Sequence, residues 1–347
     1  ETLIPINFAI QAVVEDGVSN PLDNSTVKLR VDGADAAVAF QKAGTKTTVA
    51  ASGYTLRPNA THTVQVIYGA SGQTPATNSW TFTTIPQYAV IHAADAVPAA
   101  SVNKSNPGFR LFVNQRGGDR GPVDGNFMEN AERHIRGAYL DAAFHPEANL
   151  ANLGLAGPDG WFIEPEVINH NGNGNAGAVG VFTDTSTPAF PDEAAPGIPG
   201  TTSSTDYYVT EILTFLDLKA GYYRFCVNSD DGFKITIGNA CRDYFAAPAA
   251  YYSGGRGQST ADYSRFDFQV EAGGIYPFRL LWWEGGGDAS VEFFVENIQT
   301  GQRVLVNDPY NTQLNPVPAY WDGPVPRPFL WSVRPFFYEA PYENEIF

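Results

Sequence analysis

Between Tyr222 and Gly238 the chain reads YYRFCVNSDDGFKITIG, two alternating runs around a four-residue turn. Tyr223, Phe225 and Val227 share one face of the first run, and Phe233, Ile235 and Ile237 share one face of the second. A period of two marks half-buried strands, because successive side chains leave an extended backbone on opposite sides. The turn itself is Ser229, Asp230, Asp231 and Gly232. Adjacent carboxylates repel, so the pair implies something nearby that rewards negative charge, either a cation or a set of hydrogen-bond donors.

Short β-branched runs of the same kind recur along the chain, separated by 34 glycines and 25 prolines. With 43% hydrophobic residues, that punctuation fits an all-β protein rich in turns rather than a disordered one. A length of 347 residues implies two or three domains, each able to bury its own core. The net charge of −16 repels nucleic acid and anionic membranes and favours divalent cations. No apolar run approaches the ~18 residues of a membrane-spanning helix. Starting at Glu1 without a signal-peptide pattern, the chain is expected to be a mature one, its export signal already removed. Cys226 and Cys241 lie on either side of the acidic turn and are expected to form one disulfide of an extracellular protein. Two buried free thiols are the other reading.

Residues 1–84 are expected to form the first sandwich. Short strands are expected at Gln11–Val14, Thr26–Val31, Ala37–Phe40, Thr45–Ala51, Thr61–Tyr68 and Ser79–Thr83, with turn signals such as Asp32-Gly33 between them. The segments LRPNATHTVQVIY and NSWTFTT resemble immunoglobulin-like or fibronectin-type modules of bacterial surface proteins. Residues 85–106, rich in Ala, Pro and Asn, are expected to be a linker. A larger β domain follows over 107–308, with a helix over Asn126–Leu140 and short strands at Trp161–Ile163 and Val179–Phe182. Two strong strands, Ile275–Trp283 and Ala289–Glu296, are expected to pair around the loop Glu284–Asp288. The last stretch, 309–347, holds eight prolines and ten aromatic residues. It is expected to lie extended over a protein surface, since proline excludes helix and so many rings suit a solvated tail poorly.

The pieces LKAGYYRFCVNSDDGFKITIG and GGIYPFRLLWWEGGGDASVEFFV resemble the lectin-like β-sandwich first named in the anthrax protective antigen, which recurs in flocculins and adhesins. The resemblance implies that Asp230 and Asp231, a pair often joined by a cis peptide in sugar-binding members, hold Ca²⁺ whose shell sugar hydroxyls complete. It makes Glu284–Asp288 the second binding loop, with Glu284 and Asp288 as further metal ligands, although that loop lacks the family's asparagine. Trp283 is the candidate ring for stacking on a sugar. A purely structural turn, its carboxylates accepting local N–H bonds, stands beside the calcium reading.

Other chemistry finds little footing. The G-x-G-x-x-G of Gly172, Gly174 and Gly177 precedes no helix and so offers no phosphate cradle. His62, His92, His134, His145 and His170 show no paired spacing, so a zinc site would need a coincidence of tertiary structure. No nucleophile elbow is present, and no enzymatic activity is expected. The chain is therefore expected to be an extracellular, cell-surface structural subunit that self-associates into an assembly or filament. The alternative is a Ca²⁺-dependent carbohydrate-binding adhesin whose partners are glycans.

Overall fold

Val, Ile, Thr and aromatic residues at alternate positions suit a pleated, half-buried backbone, and strands dominate the chain accordingly. The computed structural model describes residues 9–54, 56–57, 60–84, 89–117, 126–171, 180–183, 192–244, 246–297, 300–311 and 315–324. The chain divides into two units, 1–88 with 298–300, and 89–297 with 301–347.

The first unit contains β1 (Gln11–Glu15), β2 (Lys28–Val31), β3 (Ala34–Ala43), β4 (Lys46–Ser52), β5 (Thr61–Tyr68) and β6 (Ala76–Thr83). Their order is β1-β4-β3-β2-β5-β6, antiparallel throughout. The long β3 pairs first with β2 through Ala34–Ala36 and then with β4 through Ala37–Ala43, so it links the two halves of the ladder. Val14, Leu29, Val31, Val49, Val64 and Phe82 supply the core.

The second unit begins with β7 (Ala89–Ile91), β8 (Phe109–Gln115), α1 (Met128–Ile135), β9 (Phe162–Glu164), β10 (Asn169–Asn171) and β11 (Glu193–Ala194). The long strands β12 (Tyr208–Leu218), β13 (Gly221–Asp230) and β14 (Gly232–Ile237) follow. After them come β15 (Ala250–Tyr252), β16 (Ser264–Val270), β17 (Gly274–Glu284), β18 (Ser290–Glu296), β19 (Arg303–Leu305) and β20 (Ala319–Tyr320). One sheet runs β11-β10-β18-β13-β16-β7, with β19 beside β18; the other runs β15-β14-β17-β12-β8-β9, with β20 beside β12. Phe225, Val227 and Phe293 from the first sheet meet Phe233, Ile235 and Trp282 from the second in one core.

This arrangement corrects the expected pairings. β13 and β14 do not form a hairpin: β13 pairs β16 and β18, whereas β14 pairs β15 and β17. The expected partners β17 and β18 likewise lie in different sheets. Alternation fixes which side chains face inward, and both inner faces are the expected ones, but it does not fix which strands pair.

Residues 89–106 of the expected linker belong to the second unit. Ile91, Val97 and Val102 are buried, and Val97 N–H donates to Ile275 O at 2.8 Å. Part of the tail also folds onto its own chain, since Ala319 is fully buried opposite Leu216. Residues 325–347 lie outside the described residues, as do Gly172, Gly174 and Gly177 of the glycine motif. The helix is shorter than the apolar stripe implied, ending at Ile135 with Phe127 half exposed. Residues 181 and 182 form no strand; their backbone N–H groups donate instead to the buried Glu292 carboxylate, at 2.8–3.1 Å.

The disulfide does not form. Cys226 alternates out of the core and packs with Phe182 and Phe294 on the outer side of one sheet. Cys241 follows β14 and sits by Glu211, Arg279 and Arg242 at the outer side of the other sheet. A sandwich separates the two thiols. Burial pushes Cys241 up to about 12 and Cys226 higher still, so both stay protonated and poorly reactive.

Candidate functional site

Because β13 crosses into β14 and β17 crosses into β18, the two crossings lie side by side at one end of the sandwich. The registers fix this: Asp230 lies opposite Ser290, and Gly232 opposite Trp283. The acidic turn and the loop Gly285–Asp288 are thereby brought together, although neither sits in a hairpin. Gly232 is required for the close approach, since a Cβ there would fall 2.2 Å from the Trp283 ring. Gly232→Ala is therefore expected to cost about 1–3 kcal/mol, measured as a lower denaturant midpoint of the second unit in chelator.

Asp230 and Asp231 are joined by a cis peptide bond. One carboxylate oxygen from each of Asp230, Asp231 and Glu284 lies within 4.8 Å of the others. Asp231 is buried and holds three segments together. Its Oδ2 accepts from Asn126 Nδ2 at 2.6 Å and from Gly285 N–H at 2.9 Å, and its Oδ1 accepts from Arg256 N–H at 3.0 Å. The Arg256 guanidinium braces the turn from behind, donating to Ser229 O at 2.9 Å and to Ser229 Oγ at 2.8 Å while lying over the Tyr252 ring. Trp282 Nε1 donates to Asp230 O at 2.9 Å.

Glu284 is fully buried; its Oε1 accepts from Gly286 N–H, and its Oε2 has no hydrogen-bond partner among the described residues. The same holds for Asn126 Oδ1 and for the Tyr208 hydroxyl, directly across from Glu284. Burial and the charges of Asp231 and Asp230 push Glu284 up to about 9. Burial, then the charges of Asp231 and Asp288, push Asp230 up to about 7. Burial also raises Asp231, although its N–H donors work against that shift.

Donors do satisfy Asp231, but they come from three distant segments rather than from within the turn, and they leave the charge of the cluster uncompensated. Three converging carboxylates with an orphaned buried oxygen form an all-oxygen donor set, which fits a hard dication such as Ca²⁺. Of the expected ligands, Asp230, Asp231 and Glu284 converge. Asp288 does not: it is exposed and outside the cluster, acting on Asp230 only through its charge. Trp283 is not a stacking ring. It is 0% exposed and packs beneath α1 with Ala131, Ile135, Val209 and Leu281, while Trp282 fills the core on the other face. Asn126 and Arg256 are functional neighbours that the sequence does not signal, because nothing local ties them to a turn that Asn126 precedes by 105 residues.

The GLEYA domain family model matches residues 215–297, which contain both crossings. No curated protein matches the chain. Among solved structures, the PA14 domain of the MpAFP antifreeze protein aligns at 17% identity over 66% of this chain and 96% of its own, with a TM-score of 0.37. The PA14 sugar-binding domain from an RTX adhesin aligns at 15% identity over 58% of this chain and 94% of its own, with a TM-score of 0.34. The epithelial adhesin 9 A domain from Candida glabrata, in complex with Galβ1-4GlcNAc, aligns at 12% identity over 68% of this chain and 97% of its own, with a TM-score of 0.37. Residues 215–297 match the GLEYA domain family model, and the second unit that contains them is a two-sheet β-sandwich.

Proposed function

We propose that the chain is a carbohydrate-binding module of a surface adhesin, in which Asp230, Asp231 and Glu284 hold Ca²⁺ at the end of the second sandwich. One observation carries this reading: three carboxylates converge where both strand crossings meet, inside the segment matched as a GLEYA domain. Bound there, Ca²⁺ would supply open coordination positions for neutral sugar hydroxyls. Asp231 fixes the turn against Asn126 and Gly285, so the donors are ordered before any ligand arrives. A strongly acidic chain repels anionic partners, and recognition of neutral hydroxyls avoids that penalty. An extracellular location suits this reading, since such modules work with calcium of roughly 10⁻⁴–10⁻³ M affinity. The test is a glycan array probed in calcium and again in chelator. Signal that chelator removes supports the reading, and an array blank in both conditions overturns it.

A pH dependence follows from the raised carboxyls. Metal binding must displace protons from Asp230, at about 7, and from Glu284, at about 9. Calcium affinity is therefore expected to be weaker at pH 6 than at pH 8, by about tenfold for the Asp230 proton and nearer a hundredfold for the Glu284 proton. Calorimetry at the two pH values, in buffers of different ionisation heat, measures both the shift and the proton release.

The self-associating filament reading rests chiefly on the C-terminal tail. Residues 315–324 of that tail engage their own chain, with Asp322 accepting from Asn103 and Asn106 side chains at 3.1 and 2.8 Å. No observation on the described residues favours assembly over glycan binding.

A further inference from the structure

A second group of ligand-type side chains lies away from the acidic turn, at the opposing edges of the two sheets. β9 closes one sheet, and β10 with β11 closes the other. Glu164 ends β9, with its side chain on the same face as the core residue Phe162. His170 is in β10, inward-facing like the core residue Ile168 and paired in register with Val291. Glu193 begins β11 and is the parallel partner of His170. One ligand-type atom from each of the three lies within 4.8 Å of the others.

His170 is the unusual member. It is 1% exposed, and neither ring nitrogen has a hydrogen-bond partner among the described residues. A buried polar group without a partner is costly, and an imidazole normally offsets its burial through at least one nitrogen. Glu164, by contrast, is steered, since its Oε1 accepts from Glu166 N–H at 3.1 Å.

The geometry points to a transition-metal site in which Glu164, His170 and Glu193 bind one Zn²⁺-class dication that staples the open edge of the sandwich. An imidazole with two carboxylates suits a borderline ion rather than Ca²⁺, which prefers oxygen alone. Ligands of tetrahedral zinc stand roughly 3.4 Å apart, so atoms within 4.8 Å of one another need to close by at most about 1.4 Å. Protonation does not oppose binding on the histidine side, because burial holds His170 down to about 4 and leaves the ring neutral. On the carboxylate side, burial and then the charge of Glu193 push Glu164 up to about 7, a repulsion that a dication between them removes. The chain has no paired-histidine spacing, and the three ligands meet only through the tertiary fold.

The test uses the full chain, stripped with chelator and then saturated with calcium so that the acidic turn does not compete. Zinc chloride is titrated by calorimetry and thermal unfolding is followed in parallel. One zinc per chain and a raised Tm are expected, with affinity reduced at least tenfold in Glu193→Gln and lost in His170→Ala. Glu193 is exposed, so its substitution leaves the fold intact and keeps the test sound if the histidine variant unfolds. Absence of zinc uptake by the parent overturns the site, as does parental affinity in both Glu193→Gln and Glu164→Gln.

Discussion

Asp231→Ala is expected to abolish calcium uptake and, with it, any calcium-dependent glycan signal. The carboxylate does two things at once. It contributes charge to the cluster with Asp230 and Glu284, and it accepts hydrogen bonds from Asn126, Gly285 and Arg256, which belong to three separate segments. Removing it leaves those donors without their acceptor, at about 1–3 kcal/mol for each one that remains buried. Asp230→Asn separates the two roles, because it removes charge while keeping the shape of a partly buried side chain. Calcium affinity is expected to fall by about a hundredfold or more in both variants, with stability in chelator falling only in Asp231→Ala. Calorimetry and chelator melts read the two effects independently.

Without metal, the same cluster makes stability depend on pH. The folded carboxyls of Asp230 and Glu284 titrate at about 7 and about 9, above the roughly 4 of an unfolded chain. The folded state therefore holds more protons than the unfolded state between about pH 4 and 9. Their contribution is fully present below about pH 4 and is lost as pH rises through 7 and 9.

Arg279→Met is expected to cost about 3–5 kcal/mol, because it breaks a buried ion-pair network at its centre. Arg279 is 2% exposed on the outer face of β17. Its NH1 and NH2 donate to Glu132 of α1 at 2.6 and 2.9 Å, and its Nε donates to Glu211 of β12 at 2.6 Å. Lys234 also reaches Glu132 at 2.9 Å, and Arg242 reaches Glu211 at 2.7 Å. Losing the central guanidinium leaves both glutamates buried with too little positive charge. The network clamps α1 over Trp283, and Asn126 lies two residues before that helix begins. The variant is thus expected to weaken calcium binding as well, through displacement of Asn126. Denaturant unfolding of the second unit, followed by calcium titration of the folded fraction, measures both consequences.

The extent to which the sequence discloses this architecture depends on the range of each interaction. Alternation is local, so the inward faces of β13 and β14 are directly legible, and Phe225, Val227, Phe233 and Ile235 all lie in the core. Pairing is not local, and Ser-Asp-Asp-Gly serves a sheet crossing as well as it serves a hairpin turn. Both adjacent tryptophans of β17 are buried because α1 covers the outer face, which leaves no exposed face for sugar stacking. The same helix hides Glu132, whose burial depends on Arg279 at a separation of 147 residues. The acidic pair itself is visible, since two neighbouring carboxylates in a turn declare their electrostatic problem without any tertiary context. Asn126 and the Glu164–His170–Glu193 group declare nothing until the fold assembles them.

The central claim is that the acidic turn is built to hold calcium, and the most direct measurement is a calorimetric calcium titration of the intact chelator-stripped chain at pH 8. One saturable site is predicted, whose heat disappears in Asp231→Ala and whose affinity falls at pH 6. A parent chain that takes up no calcium, or an Asp231→Ala variant that binds it as the parent does, contradicts the claim.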